Sequence, residues 1–187
     1  MQFIIAGVGG QGILFASRVL GHIALSKGLS VNGSEVHGMS QRGGSVISHF
    51  KIGSYASPLV RAGEADILLA FEQGEGLRNF HFLKKKGVAL VNADRPEAFS
   101  DPDLAAFLAA REIRLLPVAG YDLLREKMGG RFLFLNALVL GALAASGAGI
   151  FSAAELREAV AELAPARFRE DNLKAFTLGL EALPGGA

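Results

Sequence analysis

Two glycine-rich segments, about thirty residues apart, hold most of the side chains here whose types and spacing point to chemistry. The first, Gly7-Val8-Gly9-Gly10-Gln11-Gly12, follows the apolar run Phe3-Ile4-Ile5-Ala6. It reads as a strand-to-helix turn whose free backbone N–H groups and helix dipole suit a phosphate. Gln11 adds an amide donor and acceptor where the helix begins, which a plain phosphate turn does not require. The second segment, Ser34 to Gly44, brings a carboxylate (Glu35), an imidazole (His37), an amide (Gln41) and a guanidinium (Arg42) to the end of the next strand. In open α/β sheets that edge is where ligands sit. Arg42 is followed by Gly43 and Gly44, so its fork can reach a phosphate or carboxylate with little steric obstruction. An arginine that holds a loop or a subunit contact in place fits the same pattern, and both readings stand.

The spacing of Gly7, Gly9 and Gly12 also fits a dinucleotide-binding turn, and Glu35 stands twenty-three residues past Gly12, near where a ribose-binding carboxylate belongs. A stand-alone NAD(P)-dependent dehydrogenase and a non-catalytic nucleotide-binding module are therefore open alternatives. No Tyr-x-x-x-Lys pair follows, and the histidines at 22, 37, 49 and 81 form no obvious acid/base arrangement. His49, on a strand with Lys51, reads as part of an exposed pair. Metal hydrolysis and acyl-enzyme chemistry lack support, since no HExxH, clustered carboxylates or nucleophile elbow occurs. The sequence has no cysteine, which removes thiolate nucleophiles, Cys-ligated zinc and iron–sulfur clusters from this chain. Any metal cluster it works with belongs to another subunit.

The elements that must position these residues follow from the hydrophobic pattern. Met1 to Val8 reads as a central parallel strand and Ile13 to Lys27 as a helix with an Ile13, Ala16, Val19-Leu20, Ile23-Ala24 stripe. Strands are expected at Leu29 to Val36, Ser45 to Ile52, Asp66 to Phe71, Val88 to Asn92 and Ile113 to Val118. Between them lie a helix from Gln73 to a Lys84-Lys85-Lys86-Gly87 stop and another from Asp103 to Arg111 behind Ser100-Asp101-Pro102. After Tyr121 the pattern is helical only: Asp122 to Met128, Leu133 to Ala145, Ala153 to Leu163 behind a Ser152-x-x-Glu155 capping box, and Ala166 to Leu183. The fold class expected is α/β, a three-layer, Rossmann-like, mostly parallel sheet with helices on both faces and a helical C-terminal part.

A length of 187 residues, half of them apolar, fits one domain spanning 1–187. Nineteen basic against eighteen acidic side chains leave +1, too balanced for a surface that tracks nucleic acid or an anionic membrane. No signal peptide is expected after Met1-Gln2, so a cytoplasmic location follows. Phe132 to Phe151 runs twenty residues without a charge, formally enough to span a bilayer. Asn136, Gly141, Ser146, Gly147 and Gly149 interrupt it, and it reads instead as a buried helix, in the core or at a subunit interface.

Gly7-Val8-Gly9-Gly10-Gln11-Gly12-Ile13-Leu14, with Ser34-Glu35-Val36-His37-Gly38-Met39-Ser40-Gln41-Arg42-Gly43-Gly44-Ser45-Val46, resembles the gamma subunit or domain of 2-oxoacid:ferredoxin oxidoreductases. The Val-His-Gly-Met-Ser-Gln-Arg-Gly-Gly form is most similar to the small subunit of the indolepyruvate branch. Ala65 to Ala70, Val91-Asn92, Asn136 with Leu140 to Leu143, and Asn172 with Ala175-Phe176 extend the resemblance over most of the chain. It implies a subunit, inactive alone, of an enzyme that oxidatively decarboxylates an aryl 2-oxoacid with coenzyme A and passes two electrons to ferredoxin. It also implies that thiamine diphosphate, its magnesium and the iron–sulfur clusters lie on a large partner subunit. This chain would complete the site, with coenzyme A as a possible shared ligand. Gly9, Gly10, Gln11 and Gly12 are then the candidate phosphate-compatible turn. Glu35, Gln41, Arg42, Gly43 and Gly44 are the candidates facing the shared cleft or the partner.

Overall fold

The computed structural model describes residues 1–38 and 43–183. β1 (Gln2–Val8) is apolar along its length because it lies in the middle of a six-stranded sheet and is covered on both faces. After α1 (Ile13–Ser26), β2 (Val31–His37) and β3 (Ser45–Ile52) form an antiparallel hairpin, and β3 pairs antiparallel with β1. On the other side of β1, β4 (Ala65–Ala70), β5 (Leu83–Asn92) and β6 (Arg114–Val118) add in parallel. The order is β2-β3-β1-β4-β5-β6, so β3 alone runs against the other five. That matches the expected α/β class, with the hairpin as its antiparallel portion.

Strand alternation divides the core in two. Phe3, Ile5, Phe50, Ile67, Leu69 and Leu90 face α1 and the C-terminal helices α4 (Gly120–Met128), α5 (Leu135–Ser146), α6 (Ala153–Leu163) and α7 (Arg169–Glu181). Ile4, Ala6, Leu68, Ala89 and Val91 face the opposite layer, to which Leu77 of α2 (Gln73–Asn79) and Leu104, Phe107 and Leu108 of α3 (Pro102–Ala110) contribute. α6 starts on the expected capping box, Ser152 and Glu155 each accepting from the other's backbone.

The helix expected from Gln73 to Lys86 is not one element. α2 stops at Asn79, one 3-10 turn carries Phe80 and Leu83 into the second apolar layer, and Lys84 to Lys86 already belong to β5. There the register slips, Ala65 facing Leu83 while Ile67 faces Val88, and Lys86 takes a positive φ of 63° in the bulge. Three lysines before a glycine resemble a helix end, but Lys84 pairs with Asp66 and Lys85 with Glu112 across the sheet edge. α5 is buried from Leu135 to Leu143 inside this chain, and among the described residues no helix is long and apolar enough to cross a membrane.

Candidate functional site

Adjacent parallel strands β1 and β4 send their following helices to opposite faces, α1 to one and α2 to the other. A crevice between such strand ends is where α/β sheets take ligands, and here it is bounded by the Val8–Gly12 turn and by Phe71-Glu72. The two glycine motifs meet at its mouth: the Gly9 N–H donates to the Gly44 carbonyl oxygen at 2.9 Å, and the hairpin carrying the second motif closes with Gly38 N–H on Ser45 O at 2.8 Å. Gly10 and Gly12 both have positive φ, 106° and 81°. Gly12 needs its missing side chain twice over, because a Cβ there would overlap the Asn136 amide.

Beside this junction is a cleft of about 360 Å³ lined by Gly9, Gly10, Gly12, Leu14, His37 and Val46. α1 begins in it with no side-chain cap and no acidic residue in its first turn. The N–H groups of Gly10, Gly12, Ile13 and Leu14 have no hydrogen-bond partner among the described residues. The floor is therefore fit for an anion and the walls are apolar. Gly43 has a positive φ of 77° and open space around its Cα. Gln41 and Arg42, the two strongest polar candidates, lie outside the described residues.

Glu35 is on the same face of β2 as His37, its carboxylate 3.9 Å from the imidazole, but it lines the neighbouring depression with Ser17, Arg18 and Ser48 rather than the cleft. β3 stands between β2 and β1, so Glu35 is two strands away from the glycine turn instead of next to it. A ribose-binding carboxylate needs the adjacent strand.

Gln11 points inward. Its Oε1 accepts from the Val8 N–H at 2.7 Å, and its Nε2 donates to the Tyr121 hydroxyl at 2.7 Å and to the Phe71 carbonyl at 3.3 Å. The amide thus crosses from β1 to the end of β4 and occupies the crevice itself. Asn92 continues the network, donating to the Phe71 carbonyl and accepting from Gly120 N–H at the start of α4. Gln73 and Glu72 cap the neighbouring loop and helix: Gln73 accepts from Asp94 and Arg95, and Glu72 accepts from Gly74 and Glu75.

Tyr121 escaped the sequence reading. Burial pushes its pKa up, with the Gln11 hydrogen bond opposing and Asp94 and Glu72 adding to the rise, so it is a neutral phenol, and among the described residues nothing accepts its proton. Desolvation, then Glu72 and Asp122, hold the Asp94 carboxyl above its ordinary value. Only the folded sheet edge brings residues 11, 71, 92, 94 and 121 together, and no local pattern announces it.

His49, expected on an exposed strand face, is buried at 6 % exposure. Its Nδ1 accepts from the Val60 N–H at 3.1 Å and its ring meets Phe82 edge-on. Among the described residues no group of three or more histidines and carboxylates could hold a metal ion.

The family model of pyruvate ferredoxin/flavodoxin oxidoreductase matches residues 2–182. The indolepyruvate oxidoreductase subunit IorB of Pyrococcus horikoshii is 35% identical over 97% of this chain and 95% of its own. The 2-oxoglutarate synthase subunit KorC of Methanothermobacter thermautotrophicus is 29% identical over 98% and 95%. Among solved structures, the gamma subunit of a keto/oxoacid ferredoxin oxidoreductase from Geobacter sulfurreducens superimposes with a TM-score of 0.72 at 27% identity, over 97% of this chain and 96% of that one.

Proposed function

The chain belongs to the pyruvate ferredoxin/flavodoxin oxidoreductase family, and from that premise we propose that it is the small, cofactor-free subunit of a cytoplasmic enzyme oxidising an arylpyruvate, indolepyruvate above all. Greater identity to the IorB relative than to KorC supports the arylpyruvate, and the Val36-His37-Gly38 form of the second motif points the same way. The observation that carries the reading is the junction of the two glycine motifs. It makes an anion-competent cleft with apolar walls at the surface, while Gln11 fills the crevice that a bound dinucleotide would need. Together with the displacement of Glu35 by β3, this disfavours a stand-alone NAD(P) dehydrogenase.

In the assembled enzyme the 2-oxoacid loses carbon dioxide, its acyl group passes to the thiol of coenzyme A, and two electrons leave to ferredoxin. Thiamine diphosphate, magnesium and iron–sulfur clusters on a large subunit supply the carbanion and electron chemistry. This chain's part is to seat an anionic group, a coenzyme A or diphosphate oxygen, on the N–H groups at the start of α1 and on Arg42, and to keep water from the shared cleft.

Reconstitution tests it. The chain with its large subunit should reduce ferredoxin with indolepyruvate and coenzyme A, and neither subunit should do so alone. Turnover by the isolated chain, or saturable NADH binding to it, overturns the reading. In the assembled enzyme Arg42→Ala should lower turnover about thirtyfold, roughly the 2 kcal/mol of one charge-assisted contact, and Arg42→Lys should recover part. Unchanged kinetics, or lost assembly, would make Arg42 a loop residue.

A further inference from the structure

At the opposite end of the sheet, where β1, β4 and β5 begin and β3 ends, lies a cavity of about 850 Å³ lined by Gln2, Lys51, Tyr55, Arg61, Glu64 and Lys84 among others. Gln2 faces Lys51 across the β1–β3 pair, and the loop between β3 and β4 forms the outer wall. Lys51 is 5 % exposed. Its ammonium lies 4.9 Å from the centre of the Tyr55 ring, and it has no ion pair or hydrogen bond among the described residues. The other two cations on the wall are matched, Arg61 with Glu64 at 2.7 Å and Lys84 with Asp66.

The Lys51 stem is buried while its ammonium looks into the cavity without a counter-charge, and an aromatic face offsets only part of the cost of an unmatched charge there. The neighbouring group on the same strand face offers no negative charge. His49 is spent on Val60 and Phe82, and burial, followed by the Lys51 charge, keeps its pKa below the ordinary value. Three cations against two carboxylates already paired leave one positive charge held inside the cavity, facing space large enough for a small molecule.

We propose that this cavity binds a small molecule through a phosphate or carboxylate seated on Lys51, with Arg61 and Lys84 at the rim and Tyr55 and Leu59 against its less polar part. The site is at the far edge of the sheet from the glycine turns and does not depend on the function proposed above.

The test uses the full chain with inorganic phosphate and succinate as probes, each titrated at constant ionic strength and followed residue by residue in amide NMR spectra. At least one probe should give saturable shifts at Lys51 and in the 55–64 loop. Lys51→Met should weaken that binding at least tenfold, while Lys51→Arg should retain it within a few-fold and so separate lost charge from lost fold. No saturable shift there with either probe overturns the proposal, as does binding that Lys51→Met leaves unchanged. If neither probe binds and Lys51→Met instead weakens assembly with the large subunit, the charge serves a partner carboxylate and the small-molecule site is wrong.

Discussion

A glutamine whose amide crosses from one strand end to the next turns a ligand crevice into part of the framework. Gln11 satisfies the Val8 N–H and reaches Phe71 and Tyr121 at once, so Gln11→Ala leaves the Val8 donor and the Tyr121 hydroxyl to find water at a half-buried edge, while the Phe71 carbonyl keeps Asn92. A loss of about 2–3 kcal/mol is expected in denaturant unfolding. The same substitution removes the interaction that lowers the Tyr121 pKa, so tyrosinate absorbance should titrate still higher; an unchanged titration would mean that the amide does not reach the hydroxyl. His49 gives a second test with a definite sign. Burial and then Lys51 hold its folded pKa below 6.5, so between that value and 6.5 the unfolded chain binds more protons. Its contribution to stability is full above pH 6.5 and is lost as pH falls below it, levelling once the folded imidazole protonates. In Lys51→Met the Coulombic part disappears, and the imidazole resonances of His49 should titrate nearer 6.5. A pKa that stays put would show that burial alone sets it.

Elements whose logic is local were legible in the sequence, and those decided by distant neighbours were not. The ranges of β3 and α6 agree with the pattern because strand alternation and a capping box are written within eight and twelve residues. Alternation placed His49 and Lys51 on one face of β3, but it could not say that the loop after Pro58 and the Phe82 turn would cover that face. Nor could it show β3 entering the sheet between β1 and β2, which moves Glu35 away from the glycine turn. The β5 bulge was hidden for the same reason: what holds Lys84, Lys85 and Lys86 are carboxylates at positions 66 and 112. The α5–α7 crossing gives the prediction at this scale. A Cβ on Gly179 would overlap the Leu138 carbonyl oxygen, and one on Gly141 would overlap that of Phe176, so the two helices touch backbone to backbone through a reciprocal pair of glycines. Alanine normally stabilises a helix interior by about 1 kcal/mol over glycine. Here Gly179→Ala must push the helices apart and should cost at least about 3 kcal/mol in thermal or denaturant unfolding. A neutral or stabilising result would mean that the helices are not in contact there.

For the molecule as a whole, what matters is which apolar surface the fold leaves open. The uncharged stretch from Phe132 to Phe151 reads as a buried helix, in the core or at a subunit interface, and its helical part proves to be in the core, with Phe176 of α7 fully buried against it. What stays exposed is Phe132, Leu133 and Ile150 of that stretch, with Leu14 and Val36 near the glycine cleft. Leu14 and Leu133 each line a hollow. The cleft at Gly9, Leu14 and His37 meets, around Gly12 and Asn136, a second of about 200 Å³ lined by Phe15, Leu133, Phe134 and Phe168. Among the described residues, His37 is the one ionisable side chain that lines either hollow. A continuous apolar strip that ends at the anion-competent turn suits a partner that covers the strip and delivers its cofactor to the turn. Hydrogen exchange can separate this strip from the core. On adding the large subunit, amides at residues 10–15, 36–38 and 131–135 should slow by about tenfold or more, whereas those of α5 from Leu138 to Leu143, already closed within the chain, should not change. Protection that appears in α5 and not in the strip would mean that the partner docks by remodelling the core, and that the exposed leucines and phenylalanines are not its landing surface.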